Sequence, residues 1–518
     1  MELKQKIPYT SRAKKNLHII VLLVVIAGFC SCAASSNIES FYPNAKIAPA
    51  QLKEDAVLLR NILEADHPSL YWYTAKDSID YYFDATINSL HDSMTELQFR
   101  NKLSWMVAKI HCGHTAVRSS KGYAHYYATH KTPQFPLSIK AWGSDSLVVV
   151  SNAVRGDTVF KRGTIITSIN GLPNSVVLDS MFQYISIDGY AQNFRYQLVS
   201  IYFPLFYSLS FGLKDSNVIT YIDPSGVQKT GIIKNFIPVR DTSKNRSVNN
   251  IPFPKPTRKQ IRAAKKRNGN NLTFDSTNTA YLQLVTFSGG GLRGLFRNSF
   301  TEIKQRQAKN LVIDIRANSG GNIGASANLV RYLAQKPFTI ADTVSSKVHR
   351  LKYSGYIHPS FIYKVAMLFS SRKKDDGRYH FGYLEHHVFK PKHALHFNGN
   401  VYIIQGGFTF SAASMFVSHL KGQANVTVLG EETGGGSYGN SSVHLPSVIL
   451  PNSYIEVILP VYRIVNNASR TKDGHGIIPD IYISPSSGAI RQGIDNKMQK
   501  VKELIEGKRG QKGRVGIE

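Results

Sequence analysis

The chain has 518 residues, 42% hydrophobic and 19% charged, so it buries a sizeable core and a largely disordered state is excluded. Three cysteines exclude a disulfide-dense scaffold and any four-thiolate zinc site. The 63 Lys and Arg against 34 Asp and Glu leave a net +29, which points to nucleic acid, an anionic membrane or an acidic ligand as partner.

Residues 1–31 read as a secretory signal. Lys4, Lys6, Arg12, Lys14 and Lys15 form a basic start. The apolar run 17–29 falls short of the ~20 residues a membrane span needs. It exits through Gly28-Phe29-Cys30-Ser31-Cys32-Ala33. A cysteine at such an exit resembles a bacterial lipoprotein box. Cys32 fits it better than Cys30, because Ser31 is small at the cleavage position and Phe29 is not. The resemblance implies a lipid on Cys32 and a lipid-anchored, extracytoplasmic protein of the bacterial cell envelope. An uncleaved anchor helix is the competing reading, and the short run argues against it. In that compartment no nucleic acid is expected as partner. Cys112 is then the remaining free thiol.

Residues 32–48 are polar and small, a tether. Residues 49–125 form an N-terminal helical domain. Leu52, Ala56, Leu59, Ile62 and Leu63 recur at helical spacing, as do Phe83, Ile87 and Leu90. Asp66-His67-Pro68-Ser69 separates the first two helices, and Thr95 starts another with Phe99, Leu103 and Met106 on one face. Over 133–238 short strands take over, and 163–171 reads as a strand ending in an Asn-Gly turn. This segment resembles a PDZ domain. Residues 239–272 read as a basic linker, with ten basic residues and one acid between Arg240 and Arg267 and prolines at 252, 254 and 256. From Thr279 strands and helices alternate to about residue 484, which predicts an α/β layer fold for a core over 273–485. Strands are expected at 281–287, 311–315, 401–405 and 426–430, and helices at 292–305, 325–334 and 411–420. Residues 344–396, aromatic, basic and rich in histidine, read as an insertion. Residues 486–518 read as a charged peripheral tail.

Three places carry chemistry. In Gly407-Phe408-Thr409-Phe410-Ser411-Ala412-Ala413-Ser414 a buried strand feeds a helix, which puts Ser411 at the helix start. Free N–H groups and the helix dipole there favour negative charge, as a nucleophile with an oxyanion site requires. A plain helix cap is the competing reading. Ile110-His111-Cys112-Gly113-His114-Thr115 offers His114 on a turn as a general base. His111, Cys112 and His114 also invite a metal reading, but no further motif has zinc spacing. The histidines at 380, 386, 387, 393 and 396 lack helical ligand spacing too and read as a solvated loop. No metal and no cofactor is expected. In Lys472-Asp473-Gly474-His475-Gly476-Ile477-Ile478-Pro479-Asp480 a glycine-rich turn presents Asp473, an acid able to orient a histidine.

Together these segments resemble the C-terminal processing (tail-specific) serine peptidases and the related tricorn core. Asp314-Ile315-Arg316-Ala317-Asn318-Ser319-Gly320-Gly321 is similar to that family's strand-to-glycine signature, and Thr409-Phe410-Ser411-Ala412-Ala413 to its nucleophile motif. Gly430-Glu431-Glu432-Thr433-Gly434-Gly435 and Gly476-Ile477-Ile478-Pro479-Asp480 resemble its later signatures. The resemblance implies a crotonase/ClpP-like α/β catalytic core preceded by a helical segment and a PDZ-like β domain. Two departures stand out. No Lys lies between Lys421 and Lys472, so the family's Ser-Lys dyad has no lysine here, and Ser414 stands where the family has an acid. Gly113-His114-Thr115 resembles the histidine motif of the tricorn-like branch.

The resemblance therefore implies a serine endopeptidase acting near the C-termini of proteins or peptides. Ser411 is the nucleophile, His114 the base, Asp473 the orienting acid, and the amides of Ala412, Gly320 and Gly321 the oxyanion hole. A catalytically inactive peptide- or ligand-binding lipoprotein on the same fold is the alternative. The charge then divides into +4 in the signal, +9 in the linker and +16 elsewhere, which suits a membrane surface beside a lipid anchor.

Overall fold

The computed structural model describes residues 41–237 and 269–514. The expected signal peptide, Cys32, the first part of the tether and nearly all of the basic linker lie outside the described residues. Among the described residues no helix is long and apolar enough to cross a membrane.

Pro49 occupies the first turn of helix Pro49–Asp66, where its missing N–H costs nothing. Helices Lys76–Asn88 and Glu96–Ala108 follow, and Thr95 with Gln98 closes a capping box on the latter. Leu52, Ala56, Leu59, Phe83, Phe99 and Leu103 share one buried cluster with Val457, Tyr462 and Ile464 of the core. The helical segment is therefore built onto the core. Asp55, fully buried, accepts from Ser453 N at 2.8 Å and Ser453 Oγ at 2.6 Å, which ties the first helix to a core turn.

The next unit is an antiparallel sheet made of Leu137–Trp142, Ser146–Asn152, Ile165–Ile169, Ser216–Ile222 and Gln228–Lys234. Asn170 and Gly171, at φ 51° and 80°, make the expected Asn-Gly turn into the short strand Leu172–Pro173. Two helices interrupt a segment read as strands, Asn174–Phe182 and Asn193–Phe211. The second is apolar on nearly every side and carries Pro204 with a kink at Tyr202, so its sequence shows no amphipathic period.

The core sheet runs Asn271–Phe274, Ala280–Gln283, Asn310–Asp314, Asn400–Gln405, Val426–Gly430 and Ile481–Tyr482. Its first pair is antiparallel and the rest parallel. The first strand begins inside the expected linker. Buried parallel strands need apolar side chains on both faces. Leu311, Ile313, Val401 and Ile403 face helices Leu292–Gln305, Ile323–Val330 and Ala412–Leu420, while Val312, Tyr402, Ile404 and Leu429 face the other way.

One expectation is corrected here. The tail is not peripheral: helix Asn496–Arg514 covers that second face with Val501 and Ile505. Lys497 Nζ also bonds Gln405 O at 3.2 Å and Glu431 Oε2 at 2.5 Å. Its apolar residues are too widely spaced among charges to show in composition. Residues 344–396, read as an insertion, leave the parallel sheet between Asn310–Asp314 and Asn400–Gln405 and pack onto the core. Thr343–Ser346, Arg372–Lys373 and Tyr379–His380 form an antiparallel sheet with Tyr462–Val465 and Gly439–Ser442, and Val344 and Met367 join the core cluster.

Candidate active site

The site gathers where parallel strands end, at the turns after Asp314, Gln405 and Gly430. Ligands of open α/β sheets bind at this carboxyl edge. Ser411 joins the strand ending at Gln405 to helix Ala412–Leu420 with φ 52° and ψ −124°. A residue with a Cβ avoids that conformation, at a cost of about 1–3 kcal/mol. Its hydroxyl makes no capping bond, so the plain helix-cap reading is set aside. The turn is fixed from three sides. Thr409 Oγ1 donates to Ile315 O at 2.9 Å, Phe410 N to Asn318 O at 3.1 Å, and Gly434 N to Thr409 O at 3.1 Å. Gly435 has to be glycine, since a Cβ there would sit 2.2 Å from Ser414 Oγ and 3.0 Å from Ser411 N. Ser414 itself, fully buried, donates to Ser411 O at 2.8 Å.

The three expected oxyanion residues separate into two kinds. The amides of Ala412 and Gly321 have no hydrogen-bond partner among the described residues. Gly320 N already donates to Asn318 Oδ1 at 2.9 Å, so that amide is spent. Gly320 contributes by lacking a side chain: a Cβ there would lie 2.8 Å from Ser411 Cβ, at a φ of 105°.

His114 lies in the turn after helix Glu96–Ala108 and is 8% exposed. Its ring rests on Phe410, centroids 4.7 Å apart, which brings it next to the residue preceding Ser411. The turn is held from below by His67. Ser69 N donates to His67 Nδ1 at 3.1 Å, which leaves Nε2–H to face Thr115 Oγ1 at 2.8 Å. Full burial pushes His67 down to a pKa of about 3, so it stays neutral.

Both ring nitrogens of His114 are buried without a hydrogen bond, so no bond to Ser411 Oγ is formed. The carboxylate within 4 Å of that ring is Asp188. Its Oδ1 lies 3.8 Å from His114 Nδ1 and accepts Gly113 N at 2.8 Å, while its Oδ2 is buried without a partner. Asp473, expected as the orienting acid, is exposed and accepts His475 N at 2.9 Å, and it makes no ion pair with His114. Sequence reasoning missed Asp188. Its signal was an Asp-Gly pair, Asp188-Gly189, in a segment read as strands, and no spacing links it to His114. Gly189 N donates to His111 O at 3.0 Å and Tyr190 N to Gly474 O at 2.8 Å, so this loop lies between the His114 and Asp473 turns.

The alternative ligand sets are dispersed. His111 Nδ1 lies 2.6 Å from Gly189 O, and burial pushes the Cys112 thiol up to about 11. His380 is held between Glu385 at 2.7 Å and Asp376 at 3.0 Å. Among the described residues no group of three or more His, Cys, Asp or Glu side chains is placed to hold a metal.

Residues 278–483 match the family model described as peptidase family S41. Among curated proteins no significant match to the chain is found. Among solved structures the chain is similar to mature CPAF, at 14% identity over 88% of this chain and 97% of that one, with a TM-score of 0.60. It is similar to mature CPAF complexed with lactacystin at 13% identity, 88% and 98% coverage and a TM-score of 0.59. A putative peptidase from Parabacteroides merdae aligns at 13% identity over 88% of this chain and 96% of that one, with a TM-score of 0.44. The two CPAF likenesses show a shared fold.

Proposed function

We propose, from the match of residues 278–483 to the model of peptidase family S41, that the chain is a serine-type endopeptidase working through Ser411, His114 and Asp188. The observation that carries this reading is the backbone of Ser411, held at φ 52° with its hydroxyl uncommitted. Such strain at a strand-to-helix turn is the form a nucleophile elbow takes.

Ser411 Oγ attacks the peptide carbonyl and His114 takes its proton, then returns it to the leaving amine. The Ser411–His114 hydrogen bond, absent in the free chain, forms as substrate enters, since catalytic bonds can be completed only in the Michaelis complex. Asp188 holds the imidazole tautomer with the proton on Nδ1 and stabilises the imidazolium. Ala412 N–H and Gly321 N–H receive the oxyanion, and one such donor supplies about 3 kcal/mol. No lysine is needed, since the histidine supplies the base.

The setting extends the reading. The lipid expected on Cys32 and the surplus of basic residues support a location on the outer side of a bacterial membrane, with proteins or peptides as substrates. The sheet of residues 137–234 has the PDZ-like role of offering an edge strand to an extended peptide, which favours cuts near C-termini. Fluorophosphonate labelling tests the core of this reading: the wild type reacts at Ser411 and Ser411→Ala does not. Labelling of Ser411→Ala at the wild-type rate overturns it.

A further inference from the structure

Ser411 lines a cavity of ≈ 680 Å³ whose wall is unusually charged, a size within the about 300–1,000 Å³ of ligand sites. Arg293, Arg331 and Lys392 all line it, with His387 and His444 beside them and no Asp or Glu anywhere on the wall. None of the three cations has a carboxylate partner among the described residues. Arg331 Nε bonds only a backbone oxygen, Lys390 O at 2.8 Å, and Lys392 Nζ lies over the Tyr332 ring at 5.3 Å. Lys392 N bonds Arg331 O at 2.7 Å, and burial with the charges of Arg331 and Arg293 holds the Lys392 amine below the ordinary lysine value. His444 Nε2 is buried without a partner. Ile340, Phe381, Leu384 and Phe389 are among the apolar residues of the wall.

Like charges gathered without a counter-charge repel one another and weaken the free protein. A carboxylate entering the cavity relieves that repulsion and gives the guanidinium groups paired, charge-assisted hydrogen bonds. We propose that this cavity is a substrate subsite for a carboxylate, so that the enzyme favours peptides carrying an acidic group close to the bond presented to Ser411. The proposal rests on the serine-peptidase reading of Ser411. The carboxylate has two sources, an Asp or Glu side chain or a free C-terminus, and both offer the same chemistry to the cations.

Binding is measured on full-length Ser411→Ala, which cannot turn over its ligand, by fluorescence anisotropy at low and high salt. Three fluorescein-labelled peptides of one apolar sequence are compared: a Glu peptide with an amidated C-terminus, its Gln counterpart also amidated, and the Gln peptide with a free C-terminus. At least one carboxylate peptide is expected to bind tenfold or more tighter than the amidated Gln peptide, with the advantage shrinking as salt rises. The arm that gains identifies the source. Arg293→Glu with Lys392→Glu is expected to reverse the preference toward a Lys peptide, a gain that a misfolded variant cannot give. Equal affinity for all three peptides, or no reversal in the charge-swapped protein, overturns the proposal. Loss of the peptidase reading would show instead as unlabelled wild type in the fluorophosphonate experiment, which this binding measurement does not use.

Discussion

His114 Nδ1 lies 3.8 Å from Asp188 Oδ1, and the two side chains are 6% and 3% exposed. An imidazolium formed there during acyl transfer would be taken from water, so the nearby carboxylate is worth more than a surface partner. Asp188→Asn keeps an oxygen for Gly113 N–H but removes the charge and can leave the wrong tautomer. The rate of fluorophosphonate acylation is expected to fall by up to about 10⁴-fold, the loss that follows Asp→Asn in a triad. Asp473→Asn is expected to change it less than about threefold, as suits an exposed turn residue. The reverse order would return the acid's role to Asp473.

Gly320 carries the approach of the glycine turn to Ser411. Gly320→Ala meets Ser411 Cβ at 2.8 Å and Phe410 O at 2.9 Å, on a backbone at φ 105°. Strain at such a position costs of order 1–3 kcal/mol before the clash is counted. Acylation of Ser411 should be abolished and the urea midpoint lowered. A variant that labels at the wild-type rate would show that this turn does not frame the nucleophile.

His67 predicts how the protein responds to acid. Its pKa is about 3 in the folded chain, against ~6.5 for an ordinary histidine. As pH falls below about 6.5 the unfolded chain takes a proton that the folded chain refuses, so stability is full above that pH. It is lost between about 6.5 and 3, at up to ~1.4 kcal/mol per pH unit. Asp66 works in the opposite sense. Burial raises it to about 6, so its contribution is present at low pH and is lost as pH rises through that value. Urea unfolding at pH 7 and 4.5 separates the two. His67→Gln should show a drop smaller than that of the wild type by about 2–3 kcal/mol. An unchanged drop contradicts a neutral, buried His67.

Cys112 lies two residues before His114, yet it is 4% exposed and its thiol titrates at about 11. A protonated, buried thiol is a poor nucleophile. Iodoacetamide at pH 8 should leave Cys112 unmodified in the folded protein and modify it in urea, as peptide mapping would read. Rapid native alkylation at Cys112 would contradict this placement.

The parallel strands and the helix after Ser411 were legible because their signals are local: short apolar runs, glycine turns and a clear 3.6-residue period. Helix Leu292–Gln305 follows its apolar stripe from end to end. The candidate residues Ser411 and His114 each stand inside a short motif, so a local signal points to them. Asp188 was not, because its pairing with His114 is made by a loop tied to His111 and Gly474 and by no sequence spacing. Helix Asn193–Phe211 was hidden by being apolar on nearly all sides around Pro204. The cations of the cavity come from Arg293, Arg331 and Lys392, which only the folded chain brings to one wall.

The most direct test of Ser411 as nucleophile is fluorophosphonate labelling of the full-length protein, followed by mass-spectrometric mapping of the adduct. The account predicts one adduct, on Ser411, that disappears in Ser411→Ala while circular dichroism and the urea midpoint stay those of the wild type. An adduct on another serine, or equal labelling of a folded Ser411→Ala protein, would contradict it.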